Sequence, residues 1–274
     1  MKNQQSINFF KVVKQVLILF AMVSFLGIHS ARAQKHEFGV SLGGATFLGD
    51  VGDNNELNSL AYFKPAFGLM YRFNPNPYLG IRLSFMESEV YGSDARSDNP
   101  HQKNRDLSFK SSITEWSVIG EFNFFRPRRK NRLFHKTPYV FLGISQIKFN
   151  PEGKSAEIWH DLQPLKTEGV EYDLNEWAIP FGVGYKFNLG EKYLLGIEGG
   201  WRYTFTDYLD DASTIYVPKT PEDPQSDFFK DPGGQAVVGA QRANPNNNDY
   251  YFVGAITFTY KIKEKINKCP KPLR

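Results

Sequence analysis

PAFGLMYRFNPNPYLGIRLSFMESE, running from Pro65 to Glu89, decides the fold. Its second half alternates. Leu79, Ile81, Leu83 and Phe85 fall on one face, and Gly80, Arg82, Ser84 and Met86 fall on the other. A period of two marks a β-strand with one apolar face. The first half, Pro65–Phe73, also reads as a strand, and Asn74-Pro75-Asn76-Pro77 joins the two. That tetrapeptide is a turn by composition, since proline lacks an amide donor and asparagine tolerates turn geometry. The segment is therefore strand, tight turn, strand.

The same grammar extends in both directions. Strands are expected over Glu37–Leu48, Pro65–Phe73, Tyr78–Glu89, Ile113–Phe125, Pro138–Phe149, Glu176–Leu189, Tyr193–Tyr208 and Tyr250–Lys263. Short connections follow the second, fourth and sixth strands: Asn74–Pro77, Arg126–Lys136 and Gly190–Lys192. The other connections are long and polar, especially Tyr91–Lys110, Asn150–Asn175 and Leu209–Asp249. Short turns at one end alternating with long loops at the other is the layout of a bacterial outer-membrane barrel. The sequence thus predicts an all-β protein, an eight-stranded antiparallel transmembrane up-and-down β-barrel. An even strand count places both termini in the periplasm.

Within strands the parity agrees. Trp116, Val118, Phe122 and Phe124 separate from Glu115, Ser117, Glu121 and Asn123. Leu195, Ile197, Trp201, Tyr203 and Phe205 separate from Gly196, Glu198, Gly200, Arg202 and Thr204. Phe252, Ile256, Phe258 and Tyr260 separate from Ala255, Thr257 and Thr259. Glycines interrupt the first and sixth strands, and the fifth is apolar on both faces, so its orientation stays open. A soluble barrel would also alternate, but aromatic placement favours the membrane. Tyr71, Phe73, Tyr78, Phe124, Phe125, Tyr185, Phe187, Tyr193 and Tyr260 sit beside the expected periplasmic ends. Phe47, Phe85, Phe149, Trp177, Phe205, Tyr208 and Tyr251 sit near the external ends. Two aromatic girdles bounding an apolar band are expected where rings meet lipid headgroups.

Eight strands enclose a lumen that side chains just fill, whereas open porins need about 16. Arg82, Glu115, Glu121, Glu198 and Arg202 share the small-and-polar face and are expected to form a polar plug. Glu198 and Arg202 lie four apart on one strand face, with the strand-four glutamates as further partners. Pairing is favoured over a gated conduit or a buried catalytic group, because an unpaired buried charge is costly.

The chain opens with Lys2, Lys11 and Lys14, an apolar run from Val16 to Ile28, and Ala31-Arg32-Ala33. This is the pattern of a secretory signal peptide over residues 1–33, cleaved between Ala33 and Gln34. The run falls short of the roughly 20 apolar residues of a spanning helix. The barrel domain is expected over 34–263 and a basic periplasmic tail over 264–274. Cys269 is the single cysteine, so no intrachain disulfide framework exists. The net charge is small, +4, but its distribution is uneven. The turn after the fourth strand carries Arg126, Arg128, Arg129, Lys130 and Arg132 without an acid, and the tail adds Lys268, Lys271 and Arg274. Such a face can hold inner-leaflet phosphates or dock an acidic periplasmic partner.

Catalytic motifs are scarce. One G-x-S-x-G spacing occurs, Gly39–Gly43, but it falls inside the first expected strand and not at a strand-to-helix turn, and no H-E-x-x-H or phosphate-binding glycine loop occurs. His36, His101, His135 and His160 each stand alone in their segments. Asp207, Asp210 and Asp211 have the oxygens a Ca²⁺ site wants but not the spacing of an EF-hand, and a capping turn is the favoured reading. The sequence points to no enzyme, cofactor, metal, nucleic acid or small-molecule substrate. Its expected partners are outer-membrane lipids and protein.

The ordered set of motifs resembles the PorG-like barrels of Bacteroidetes. It comprises Glu37-Phe38-Gly39-Val40 with Gly43-Gly44 and Phe47-Leu48-Gly49-Asp50, the stretch Glu115–Phe124, Thr137-Pro138-Tyr139, Ile179–Gly184, Asp207–Asp211, and the late Cys269-Pro270-Lys271. The resemblance covers essentially the whole mature chain. It implies an outer-membrane component of a type IX secretion system, associated with a periplasmic ring made of a lipoprotein and its partner protein. The basic turn, the tail and Cys269 would then be docking surface. The competing classes are an OmpA- or OmpX-like surface barrel for adhesion or membrane integrity and, behind it, a lipid-modifying enzyme.

Overall fold

The computed structural model describes residues 36–52, 62–125, 136–155, 157–220, 223–234 and 236–262. Eight strands form the wall: β1 (His36–Leu48), β2 (Lys64–Phe73), β3 (Leu79–Ser93), β4 (Ser108–Asn123), β5 (Lys136–Ser155), β7 (Asn175–Leu189), β8 (Tyr193–Thr204) and β9 (Tyr250–Ile262). A short strand, β6 (Ile158–Asp161), pairs only with the far end of β5. Two short helices, α1 (Pro100–Arg105) and α2 (Pro224–Lys230), lie in the loops.

Each wall strand pairs antiparallel with its neighbours around the ring. The β4–β5 pairing runs from Phe109↔Gly153 to Asn123↔Tyr139, and β1 meets β9 from His36↔Ile262 to Leu48↔Tyr250. The sheet is therefore a closed, up-and-down barrel of eight strands without a free edge. Closure satisfies the backbone groups internally, which a hydrocarbon surround demands. The first strand begins and the last strand finishes at the end that holds the short turns, hereafter the turn end. The long connections gather at the opposite, loop end.

The strands at the loop end outrun the sequence expectation. β3, β4 and β5 hold 15, 16 and 20 residues, against the roughly 9–11 that cross a bilayer. Both ends of Tyr91–Lys110 and the first part of Asn150–Asn175 are thus strand rather than loop. The cause is visible in the parity: Val90, Phe109, Ile113, Ile147 and Phe149 continue the inward row and are buried.

Burial is inverted relative to a soluble barrel. Leu69 and Trp116 point out and are 61% and 62% exposed, whereas inward Arg72, Arg82 and Glu121 are 1% exposed. Phe38, Leu42, Phe67, Leu83, Val118 and Val183 extend the exposed apolar band around the wall. A band of this extent far exceeds the apolar patches of soluble proteins and is the lipid-facing surface of a transmembrane barrel.

The orientation of β5 is settled. Tyr139, Phe141, Ile147 and Phe149 face inward, and Val140, Leu142 and Ile144 face outward. Opposing glycines make room for the inward rings. A Cβ on Gly200 or Gly182 would lie 2.5 or 2.7 Å from Phe141 Cζ, and one on Gly184 would lie 2.5 Å from the Tyr139 ring. Phe47, Phe149 and Tyr251 correct the girdle reading: they are buried inside the loop end, in one apolar core with Val51, Leu107 and Leu209.

Candidate functional site

The chemistry of this molecule lies along the barrel axis and in the cap above it. Every inward cation near the turn end stands between two outward apolar residues: Arg72 between Tyr71 and Phe73, Lys186 between Tyr185 and Phe187, Lys261 between Tyr260 and Ile262. Pleating then sends the charge inward. Glu121 is the hub. Its carboxylate lies 2.8 Å from Arg72 Nε, 3.3 Å from Arg82 Nε and 2.5 Å from Lys186 Nζ. Arg72 also donates to Glu37 at 2.7 Å and Arg82 to Glu198 at 2.6 Å. Arg72 and Arg82 are direct cross-strand partners, a repulsive placement that Glu121 neutralises by bridging both.

Three carboxylates thus face three cations. Tyr139 donates its hydroxyl to Glu198 at 2.5 Å, and Lys186 donates to Asn123 at 2.9 Å while sitting 4.1 Å from the Tyr139 ring centre. Lys261 donates to Asn188. One layer nearer the loop end, Arg202 Nε lies 3.3 Å from Glu115, which also accepts from the Tyr251 hydroxyl at 2.7 Å.

Arg82, Glu115, Glu121, Glu198 and Arg202 all face the interior. Arg202 pairs with Glu115, one of the expected strand-four glutamates, whereas Glu198 pairs with Arg82 and not with Arg202. Four residues along a strand span about 13 Å, too far for a same-strand ion pair. Glu37, Arg72, Lys186 and Lys261 escaped the sequence reading, although the same parity signal marks them. The cleavage pair Ala33 and Gln34, the basic segment Arg126–Arg132 with Arg128, Arg129 and Lys130, and Cys269 and Lys271 lie outside the described residues.

Above the apolar core the loops close into a cap held by buried carboxylates. Asp94 accepts from the Gly52 and Leu107 amides and binds Arg105 through Nε at 2.7 Å and Nη2 at 2.9 Å. Arg105 continues to the carbonyls of Arg242 and Asp50. Arg242 donates to Glu168 at 2.8 Å and to the Asp211 carbonyl at 2.6 Å. Glu168 in turn accepts from the Ser213 and Thr214 amides.

Asp210 accepts from the Val51 and Ala212 amides, each at 3.0 Å. Asp249 accepts from the Leu209 amide, and Asp211 from the Thr167 and Tyr172 hydroxyls. Burial pushes Asp207 up to about 7 and Asp211 up to about 6. Burial and neighbouring carboxylates hold Asp210 and Asp249 well above the usual carboxylate range. Asp207, Asp210 and Asp211 therefore clasp loop amides and hydroxyls. Among the described residues, no three His, Cys, Asp or Glu side chains are arranged to hold a metal ion.

The histidines are dispersed. His36 Nδ1 lies 2.7 Å from the Tyr71 hydroxyl at the turn end, and His160 Nδ1 lies 2.7 Å from Gln225 Nε2 in the cap. His101 sits on α1 with its ring exposed.

Comparison with solved structures places the chain beside small outer-membrane barrels. Neisserial surface protein A is 9% identical, with 85% of this chain and 100% of that chain covered at a TM-score of 0.39. The N-terminal β-barrel domain of Pseudomonas aeruginosa OprF is 9% identical, with 81% and 96% covered at 0.36. Ail of Yersinia pestis, solved with the heparin analogue sucrose octasulfate, is 13% identical, with 82% and 98% covered at 0.37. Comparison with curated proteins gives no match. One family model spans residues 14–271, nearly the full sequence. The chain belongs to the family described as Domain of unknown function (DUF6089).

Proposed function

We propose that this protein is a non-conducting outer-membrane barrel that anchors a protein-secretion assembly, docking a periplasmic ring through its basic turn and tail. The observation that carries the reading is the state of the interior. Ion pairs centred on Glu121 lie inside the barrel at the turn end, and an apolar core lies inside it at the loop end. On our reading these side chains fill the lumen, so the barrel works by what its two ends hold. β1 begins and β9 ends at the turn end, which a chain exported from within would leave in the periplasm. In sequence Arg126, Arg128, Arg129, Lys130 and Arg132 stand between β4 and β5, and Lys268 and Lys271 follow β9, so we assign this basic set to the same end. The likeness to PorG-like barrels supplies the assembly, a type IX-like secretion ring of a lipoprotein and its partner.

The test is affinity purification of the tagged barrel from detergent-solubilised outer membranes. The reading expects the ring lipoprotein to co-purify and to be lost when Arg128, Arg129 and Lys130 become Glu, with barrel folding unchanged. A barrel recovered without ring components overturns it.

A second reading, a surface barrel for adhesion or membrane integrity, is favoured by one feature. The external loops form a hydrogen-bonded cap rather than loose connections, which suits presentation of a fixed surface. On that reading, proteolytic clipping of the loops abolishes binding to host or matrix and leaves secretion intact. Neither reading requires catalysis, and deletion is expected to leave the lipid profile of the membrane unchanged.

A further inference from the structure

On the outside of the wall, where β8 and β9 reach the loop end, the lipid-facing surface runs into a groove. Phe181 and Trp201 are cross-strand partners with ring centres 6.1 Å apart and nearly parallel planes, and Trp201 meets Phe252 at 5.0 Å. With Tyr203 they form an aromatic floor that is part of the membrane belt. By parity Thr46 and Leu48 of β1 also point outward, yet they are only 1% and 8% exposed. The loops have folded over β1, and their edge forms the opposite wall. That wall is an amide-rich shelf, Asn244 to Asn248, with Gln102 and His101 of α1 beside it. The groove has a volume of about 1080 Å³.

The shelf is fixed in place. Asn248 Nδ2 donates to the Thr204 carbonyl at 3.2 Å, Gln102 Nε2 donates to the Asp50 carbonyl at 3.0 Å, and the Asn244 amide donates to the Asp50 carboxylate. Other groups remain available. Among the described residues, the side chains of Asn247 and Gln241, the Tyr203 hydroxyl and the Trp201 indole N–H have no protein partner, although all four line the groove.

The charges define the ligand class. Both arginines that reach the groove are committed, Arg105 to Asp94 and Arg242 to Glu168. Among the described residues that line the groove, no lysine and no uncommitted arginine is left to select a phosphate. Asp249 is buried and committed to the Leu209 amide, but the half-buried Asp50 accepts from the Asn244 amide through one carboxylate oxygen and has the other for a ligand hydroxyl. Carboxamides, one carboxylate and flat aromatic rings together are the chemistry that holds a sugar: polar edges to the amides, C–H faces to the rings.

We infer that this groove binds the saccharide of an outer-leaflet glycolipid, with its acyl chains lying on the aromatic belt below. Continuity with the lipid-facing surface argues for this occupant over a free polysaccharide, because only a membrane-bound sugar would use floor and shelf at once. The inference takes the loop end as external and is independent of any secretion partner.

The test uses the full chain in detergent, with rough-type lipopolysaccharide, phosphatidylethanolamine and deacylated core oligosaccharide as probes, read by native mass spectrometry and equilibrium binding. Rough lipopolysaccharide is expected to bind at least tenfold more tightly than either other probe. Trp201→Ala should weaken it about tenfold and Asn247→Ala severalfold. Trp201 faces outward, so heat-modifiable migration of both variants should match the parent and separate lost binding from lost folding. Equal binding by parent and both variants overturns the inference, as does equal retention of phosphatidylethanolamine. Oligosaccharide binding as tight as that of the intact glycolipid overturns the membrane-bound source.

Discussion

At the turn end the barrel interior holds Glu37, Arg72, Arg82, Glu121, Lys186 and Glu198. At the loop end the same inward rows hold Val90, Phe109, Ile113, Ile147 and Phe149. One wall thus carries two interiors, and the surroundings explain the difference. The loop end is roofed by a cap of ordered connections, so apolar side chains there are kept from water. Among the described residues the turn end has only short connections over it, and charges that cross-link the wall suit a mouth beside water. The apolar interior degrades in proportion to the atoms removed, whereas the ionic interior fails in whole charges, because Glu121 serves three cations at once.

The largest predicted effect follows from that asymmetry. Glu121→Gln leaves Arg72, Arg82 and Lys186 buried with two carboxylates among them. Breaking a buried ion pair from one side costs about 3–5 kcal/mol, and urea unfolding of the refolded barrel should show a loss of that order. A loss under about 1 kcal/mol would mean that water reaches the cluster freely and the two interiors are not distinct.

Next comes the outer face, which both regions share. Val118→Arg, near the middle of β4 and outward, should cost about 2–4 kcal/mol in bilayer refolding, as expected for a cation facing hydrocarbon. A neutral result would remove the membrane from the account.

At the loop end, Ile147→Val deletes one methyl group from the buried core. The expected loss is about 0.5–1.5 kcal/mol, well below that of Glu121→Gln. Equal losses at the two sites would erase the contrast.

The cap supplies the smallest effect and one with a sign. Asp211 and Asp207 are raised from 3.8 to about 6 and about 7. The closed cap therefore keeps protons that the opened cap releases. Its stability is fullest below about pH 4 and falls as pH rises through about 6 to 7. Hydrogen exchange at the Val51, Leu209 and Ala212 amides, corrected for intrinsic rate, should lose protection severalfold over that interval. A gain in protection would contradict the assignment.

Much of this was legible in the sequence, and the misses have physical causes. Strand count, turn–loop alternation and the inward placement of Arg82, Glu115, Glu121, Glu198 and Arg202 follow from a period of two. The orientation of β5 does not, because Tyr139 and Phe141 are as apolar as the residues between them. Their direction is set across strands, by the space at Gly182, Gly184 and Gly200. Phe47, Phe149 and Tyr251 looked like girdle residues because strand position alone does not tell a ring in lipid from a ring under a cap. The Glu198–Arg82 and Arg202–Glu115 partnerships depend on register and barrel closure, which no single strand contains. The cap is the least legible region, since its carboxylates join residues as distant as Val51 and Asp210.

On our reading paired charges and an apolar core fill this barrel from end to end, and planar-bilayer conductance of the refolded full chain is the decisive measurement. The parent should show no stable open steps, and Glu121→Gln should show small, brief openings. Long-lived, ohmic steps in the parent protein would contradict it.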